Sequence, residues 1–402
     1  MKMPDSAPGA SVRARIAAID TMRGFVMLVM LIDHVRETFF LHMQVADPMD
    51  AATTPPALFF TRLFAHLCAP VFVFLTGLSA WLYAHPAAGP RNATGFLLKR
   101  GLLLVLLELG PVNLAWSGQF PPHMLYLQVI WAIGLAMIAL ALLHRLPPAA
   151  LATLAILIVG GHNALDGWRF EAGSAAQMAW TVLKQRGYLL TSAALTVKVS
   201  YPLLPWIGII LLGYVSGPLY ACGANPARRR RVLCMAGAAA LFLLALLRGP
   251  DLYGEPLPWR HGANALQTVM SWLNFTKYPP SLDFALLTLG VGMLALAWLE
   301  REQKRARFGA LASTSVITSV SNVVATFGGA PMFYYLLHLY LLLALQSKLA
   351  AWFGLAPGRR VHASAVWQLW LIALALLPVL YYPCRWFGAY KRRSTQAWVR
   401  YL

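Results

Sequence analysis

Ala17-Ala-Ile-Asp20-Thr-Met-Arg23-Gly24-Phe25-Val-Met-Leu-Val-Met-Leu-Ile32-Asp33-His34-Val-Arg36-Glu37-Thr-Phe-Phe40 is long enough to cross a bilayer, yet it carries charge at both ends. Phe25 to Ile32 carry none. As a helix with a rise of about 1.5 Å per residue, the stretch sets Asp33 roughly 15 Å beyond Arg23, near the bilayer midplane. Asp33 and Glu37 then share a face, Arg36 follows Asp33 by one turn, and His34 points about 100° away. Ionisable groups at that depth are expensive and mark functional sites by default. An imidazole beside carboxylates suits a general base near neutral pH. The plainer alternative is a buried Asp33–Arg36 pair that only fixes helix packing.

Working outward, 59% of the 402 residues are hydrophobic and only 12% charged, and the mean hydropathy is +0.60. A soluble domain carries about 25% charged residues. The composition therefore predicts an all-α polytopic membrane bundle. Ten spans are expected at about 17–40, 58–83, 96–116, 124–143, 148–162, 202–220, 232–248, 281–299, 331–350 and 364–387. An eleventh arises if 307–329 crosses; its Ser, Thr and Val content reads instead as an amphipathic interfacial stretch. The net charge of +19 does not indicate nucleic acid, because the basic residues fall in short clusters between apolar runs. Arg13, Arg15, Lys99, Arg100, Arg228 to Arg231, Arg301 to Arg307 and Lys391 to Arg393 share one side, which puts both termini in the cytoplasm. The domain plan is a tail at 1–14, a transmembrane domain at 15–388 and a basic tail at 389–402. Residues 1–10 show no signal-peptide pattern. Four scattered cysteines have no metal-ligand spacing and, on the cytoplasmic side, no expected disulfide.

Other polar groups fall at similar depth: Glu108 in the third span, His66 in the second and His338 in the ninth. A lone buried histidine is commonly a hydrogen-bonded core residue, but four spans with such groups at matched depth predict a polar centre. No His-x-x-x-His or paired-carboxylate spacing suggests a metal. Lys277-Tyr278-Pro-Pro-Ser281 opens the eighth span, where lysine and tyrosine can meet a substrate at the mouth or simply form a rigid turn. The outer segments 163–201 and 249–280 are longer than connections need and are expected to pack as partly embedded helices over that mouth. The cytoplasmic arginine clusters read first as topology determinants and contacts with membrane lipid. No phosphate-binding glycine loop is present.

Several short motifs, in order, then resemble bacterial membrane proteins related to heparan-alpha-glucosaminide N-acetyltransferase. They are Asp20-x-x-Arg23-Gly24 with Asp33-His34, Ala69-Pro-Val-Phe-Val-Phe-Leu-Thr-Gly77, Arg100 to Glu108, Tyr201-Pro-x-x-Pro-Trp-Ile-Gly208, Leu211 to Tyr214, Lys277 to Ser281 with Thr288-Leu-Gly290, and Pro331 to His338. The resemblance runs from about Arg15 to Trp386. It implies a dimeric acetyltransferase in the bacterial inner membrane that takes acetyl from cytosolic acetyl-CoA and delivers it across the membrane to an amino sugar or another carbohydrate acceptor. The lysosomal member's extra N-terminal luminal domain is not expected in this chain. Its essential histidine lies in the connection after the first family helix; this chain has His42 there, in a connection of different length. His34, assisted by Asp33 or Glu108, is the preferred base or transient acyl carrier, with His42 and His66 behind it. Arg23, Arg36, His66, Lys277, Tyr278 and His338 are the expected substrate contacts. A proton-coupled transporter using the buried Asp, Glu and His groups is the alternative; no inverted repeat supports it. An assembly factor without chemistry would leave the buried charges unexplained.

Overall fold

The computed structural model describes residues 9–40, 49–308, 316–356 and 358–401, so His42 and 309–315 lie outside the described residues. The chain is mostly helical. The first half contains α1 (Gly9–Phe39), α2 (Pro56–Ala65), α3 (Cys68–Ala84), α4 (Thr94–Leu107), α5 (Asn113–Ser117), α6 (Val129–Leu143), α7 (Pro148–Gly161) and α8 (Ala175–Leu183). The second contains α9 (Leu204–Val215), α10 (Pro226–Arg248), α11 (Ala265–Trp272), α12 (Leu282–Phe308), α13 (Val316–Gly328), α14 (Pro331–Trp352) and α15 (Val366–Arg393).

Among the described residues, six helical segments are long and apolar enough to cross a membrane: Pro56–Ala84, Pro148–Leu165, Pro226–Arg248, Leu282–Glu302, Pro331–Trp352 and Val366–Arg393. α6 and Leu204–Tyr220 are apolar but shorter. α1 has the length but carries Asp20, Arg23, Asp33, Arg36 and Glu37. The outer faces of α10 and α15 expose Phe242, Leu246, Leu371, Leu374 and Val379, side chains that would find no solvent of their own kind in water.

The all-helical expectation needs correction in three places. Met124–Leu127, expected to open the fourth span, is β1, and α6 begins only at Val129. β1 pairs in parallel with β3 (Thr196–Val199), which pairs antiparallel with β2 (Gly187–Thr191). The 163–201 segment is therefore part sheet and part helix, while α11 supplies the helix of the second long segment. The second span breaks at His66-Leu67, where the ring of Pro70 would clash with the carbonyl four residues earlier. The third passes through a π-helical turn at Glu108–Val112 that contains Pro111.

Close backbone approach at small residues sets the helix crossings that shape the interior. A Cβ on Gly24 of α1 would sit 1.9 Å from the Val324 carbonyl oxygen, and one on Gly328 of α13 would sit 1.9 Å from that of Asp20. α13 is thus docked against α1. Gly101 of α4 and Gly134 of α6 face each other in the same way, each 2.6–2.7 Å from the other's carbonyl oxygen.

Candidate functional site

A cavity open to solvent, with about 830 Å³ of space when its mouth is included, lies between α1, α3, α4, α6 and α14. α1 contributes Val26, Met27, Met30, Asp33 and His34; α3 contributes Cys68, Ala69, Phe72 and Thr76; α6 contributes Val129, Ile130, Ile133 and Met137. These i, i+3/i+4, i+7/i+8 series are single helix faces. In each the last residue lies eight positions after the first, so the cavity runs for about 12 Å along the bundle.

Its two ends differ. At one end Arg100 lines the wall, and its Nε has no hydrogen-bond partner among the described residues. The positive charges of Arg23 and Lys391 act on one another and on Arg100 at this basic end, with Asp20 as the nearby carboxylate. Arg23 itself is committed: it donates to Asp20 (2.8 Å), Ser79 Oγ (2.8 Å) and the Gly328 carbonyl (3.0 Å), tying α1 to α3 and α13.

The other end, beside the sheet and the long segments, holds the charged cluster. Asp33 Oδ1 accepts from Arg36 Nε at 3.0 Å, Oδ2 accepts from Arg62 Nη1, and Lys277 Nζ stands 3.9 Å from Oδ2. Arg36 also reaches Glu37 Oε1 at 3.3 Å. Three cations thus face two carboxylates, leaving this end electropositive. Lys277 and Tyr201 line the cavity. Tyr278 stands behind them, its hydroxyl 3.3 Å from that of Tyr201 and its ring under Arg186 and Lys277.

His34 lines the same end, but no hydrogen bond joins it to Asp33 or Glu108. Its Nδ1 is 2.7 Å from Nε2 of His338, whose Nδ1 is 2.9 Å from the Tyr334 carbonyl oxygen. The two imidazoles are nearly parallel, and Trp116 and Tyr335 pack edge-on to His34 at 5.0 and 6.0 Å. Trp116 follows the π turn, whose extra residue shifts the register of the turn after it. His338 is fully buried and touches His34, not the cavity.

Two other expected groups point elsewhere. Glu108 is fully buried with Oε2 accepting from the Trp131 amide at 3.1 Å. One carboxyl oxygen therefore caps the N-terminus of α6, while Oε1 has no hydrogen-bond partner among the described residues. Asn113 holds β1 against the same turn, bonding to Tyr126 N and O and to the Glu108 carbonyl. His66, at the α2–α3 break, packs on Phe284 at 5.0 Å with its Nδ1 unpartnered among the described residues, and does not line the cavity. Sequence reasoning missed Arg62 and Arg100 as site residues. Arg62 is buried in an otherwise apolar helix, a signal of the same kind as Asp33; Arg100 read only as one of the end-of-span basic residues.

Beyond the membrane-spanning helices, Glu255 accepts from Ser281 Oγ at 2.6 Å and from the Thr276 amide at 2.9 Å, pinning the segment before α12. Burial raises its carboxyl pKa despite these bonds, which act to lower it.

The sequence profile of the family described as heparan-alpha-glucosaminide N-acetyltransferase, catalytic, matches residues 15–247, more than half of the chain. The chain belongs to this family. The matched stretch includes the α1, α3, α4 and α6 walls of the cavity and ends before Lys277 and His338. No curated protein matched the chain.

Proposed function

We propose that the protein is a membrane acetyltransferase that passes acetyl from cytosolic acetyl-CoA, through the cavity, to an amino sugar or other glycan acceptor on the opposite side. The reading takes ten spans with both termini in the cytoplasm of a bacterial inner membrane, and a homodimer as the family resemblance implies. The observation that carries it is one apolar passage with Arg100 at its basic end and the free edge of His34 at the other. A donor with a polyanionic head and a long neutral arm matches that polarity. Arg100 and Lys391 meet the phosphates, the apolar walls take the arm, and the thioester reaches His34.

In this mechanism the acceptor nitrogen or hydroxyl oxygen attacks the thioester carbonyl carbon while its proton moves to His34 Nε2. The C–S bond then breaks, and the imidazolium returns the proton to the departing CoA sulfur. Lys277 and its neighbouring arginines place positive charge where the carbonyl oxygen becomes an oxyanion. The test uses the protein in phospholipid nanodiscs with radiolabelled acetyl-CoA and a glucosamine-terminated oligosaccharide. His34→Ala is expected to lower kcat by about 10²-fold or more. Arg100→Gln is expected to raise the acetyl-CoA KM by about 10-fold, the scale of one lost charged contact. Transfer at the parental rate by correctly folded His34→Ala would overturn the role of His34. A parent that neither transfers acetyl nor gains thermal stability from CoA would favour the transporter.

A further inference from the structure

We infer that His338 is a positioning residue that fixes which nitrogen of His34 carries its proton; as a statement about catalysis, this rests on the acetyl-transfer reading above. The chain of contacts has one direction. The Tyr334 carbonyl can only accept, so His338 Nδ1, 2.9 Å away, carries a hydrogen. A neutral imidazole then keeps a lone pair on Nε2, and that lone pair faces His34 Nδ1 at 2.7 Å. His34 must therefore be protonated at Nδ1, which leaves its Nε2 as the proton acceptor at the cavity edge. An isolated histidine has no such constraint, and the Nε2-protonated form cannot take a proton from an acceptor at that edge.

The nearby carboxylates form their hydrogen bonds with other groups. Asp33 is one residue from His34 in sequence, yet its two oxygens are engaged by Arg36 and Arg62. Glu108 Oε2 accepts from the Trp131 amide at the start of α6. Trp116 and Tyr335 hold the imidazole by its faces and edges. When His34 takes up a proton at Nε2, its Nδ1–H still points at the His338 lone pair, so the positive charge is shared with a second ring. His338 thus fills the place that a carboxylate holds behind the histidine of a catalytic triad, without adding a negative charge to the bundle interior.

Three substitutions separate orientation from packing. Gln at 338 can present its amide oxygen near the position of the histidine Nε2. Asn reaches only as far as Nδ1, and Leu offers no acceptor. Glycan acetylation by His338→Asn and His338→Leu should fall about 10²-fold in kcat with both KM values near those of the parent, while His338→Gln stays within about 10-fold of the parent. The second readout needs no turnover. Imidazole ¹⁵N spectra of the protein in nanodiscs, with the His34 signals assigned by their loss in His34→Gln, should show protonated Nδ1 and bare Nε2 in the parent and in His338→Gln. His338→Leu should shift His34 toward the Nε2-protonated form. A parental His34 protonated at Nε2, or a tautomer unchanged in His338→Leu, would overturn the inference even in an active enzyme. The expected tautomers in a protein that transfers no acetyl would uphold the dyad and overturn the proposed function instead.

Discussion

Replacing Asp33 by Asn tests whether this carboxylate is chiefly the counter-ion of a buried cluster. In the parent it engages Arg36 at 3.0 Å and Arg62, and stands 3.9 Å from Lys277, with the side chains of Arg36, Arg62 and Lys277 all less than 10% exposed. At an effective dielectric constant of about 20, unit charges 3–4 Å apart attract by roughly 4–5 kcal/mol. Such attractions are what hold three cations out of water. The neutral amide would leave Arg36, Arg62 and Lys277 with Glu37 as the remaining carboxylate, and its own N–H₂ would face a guanidinium. Breaking a buried pair in this way costs about 3–5 kcal/mol. Arg62→Gln should cost a similar amount, because it strips Asp33 of one of its two hydrogen-bonded arginines. The double variant Asp33→Asn with Arg62→Gln removes one charge of each sign and should fall short of the sum by about 1–3 kcal/mol. SDS titration of the protein in mixed micelles, followed by tryptophan fluorescence, measures all four corners of the cycle. A parental midpoint for Asp33→Asn, or single costs that simply add, would refute the counter-ion assignment.

Two further predictions concern groups at the margins of the site. Glu108→Gln keeps an acceptor for the α6 amides and should cost less than about 1 kcal/mol, whereas Glu108→Ala should cost about 1–2 kcal/mol, the scale of a lost helix cap. The same denaturation assay checks this, and equal costs for the two variants would argue against the cap. Glu255 predicts a pH dependence. Its raised native pKa means that the folded state holds the proton more tightly than the unfolded chain does. The associated stability is fully present below the ordinary carboxylate range and is lost as pH rises through the native value. Thermal midpoints of the parent relative to Glu255→Gln should accordingly fall as pH rises through that window, and parallel profiles would contradict the assignment.

Much of the architecture was legible in the chain because apolar runs and helical periodicity are local properties. Asp33 and His34, singled out in the first apolar segment, both line the cavity. Arg36 as a partner of Asp33 follows from their three-residue spacing. The order of short motifs was enough to assign the family. Local breaks were less legible. The breaks near Pro70 and Pro111 were not anticipated in spans read as continuous, and the sheet formed by 124–127 with 187–199 depends on strands about 60 residues apart meeting beside the bundle.

The tertiary structure decided which of the buried polar groups meet. His34 and His338 are 304 residues apart and reach 2.7 Å because α1 and α14 run side by side with Tyr334 bonded to the Met27 carbonyl. Arg62, 29 residues from Asp33, takes the carboxylate that sequence reasoning had offered to His34, and the α6 amides take Glu108. Matched depth along separate helices is a statement about one coordinate only. The rotation of each helix and the distance between axes come from packing, here from crossings at Gly24/Gly328 and Gly101/Gly134 that leave no room for a Cβ. Those two coordinates decide hydrogen-bond partners, since a displacement of about 1 Å is enough to lose such a bond.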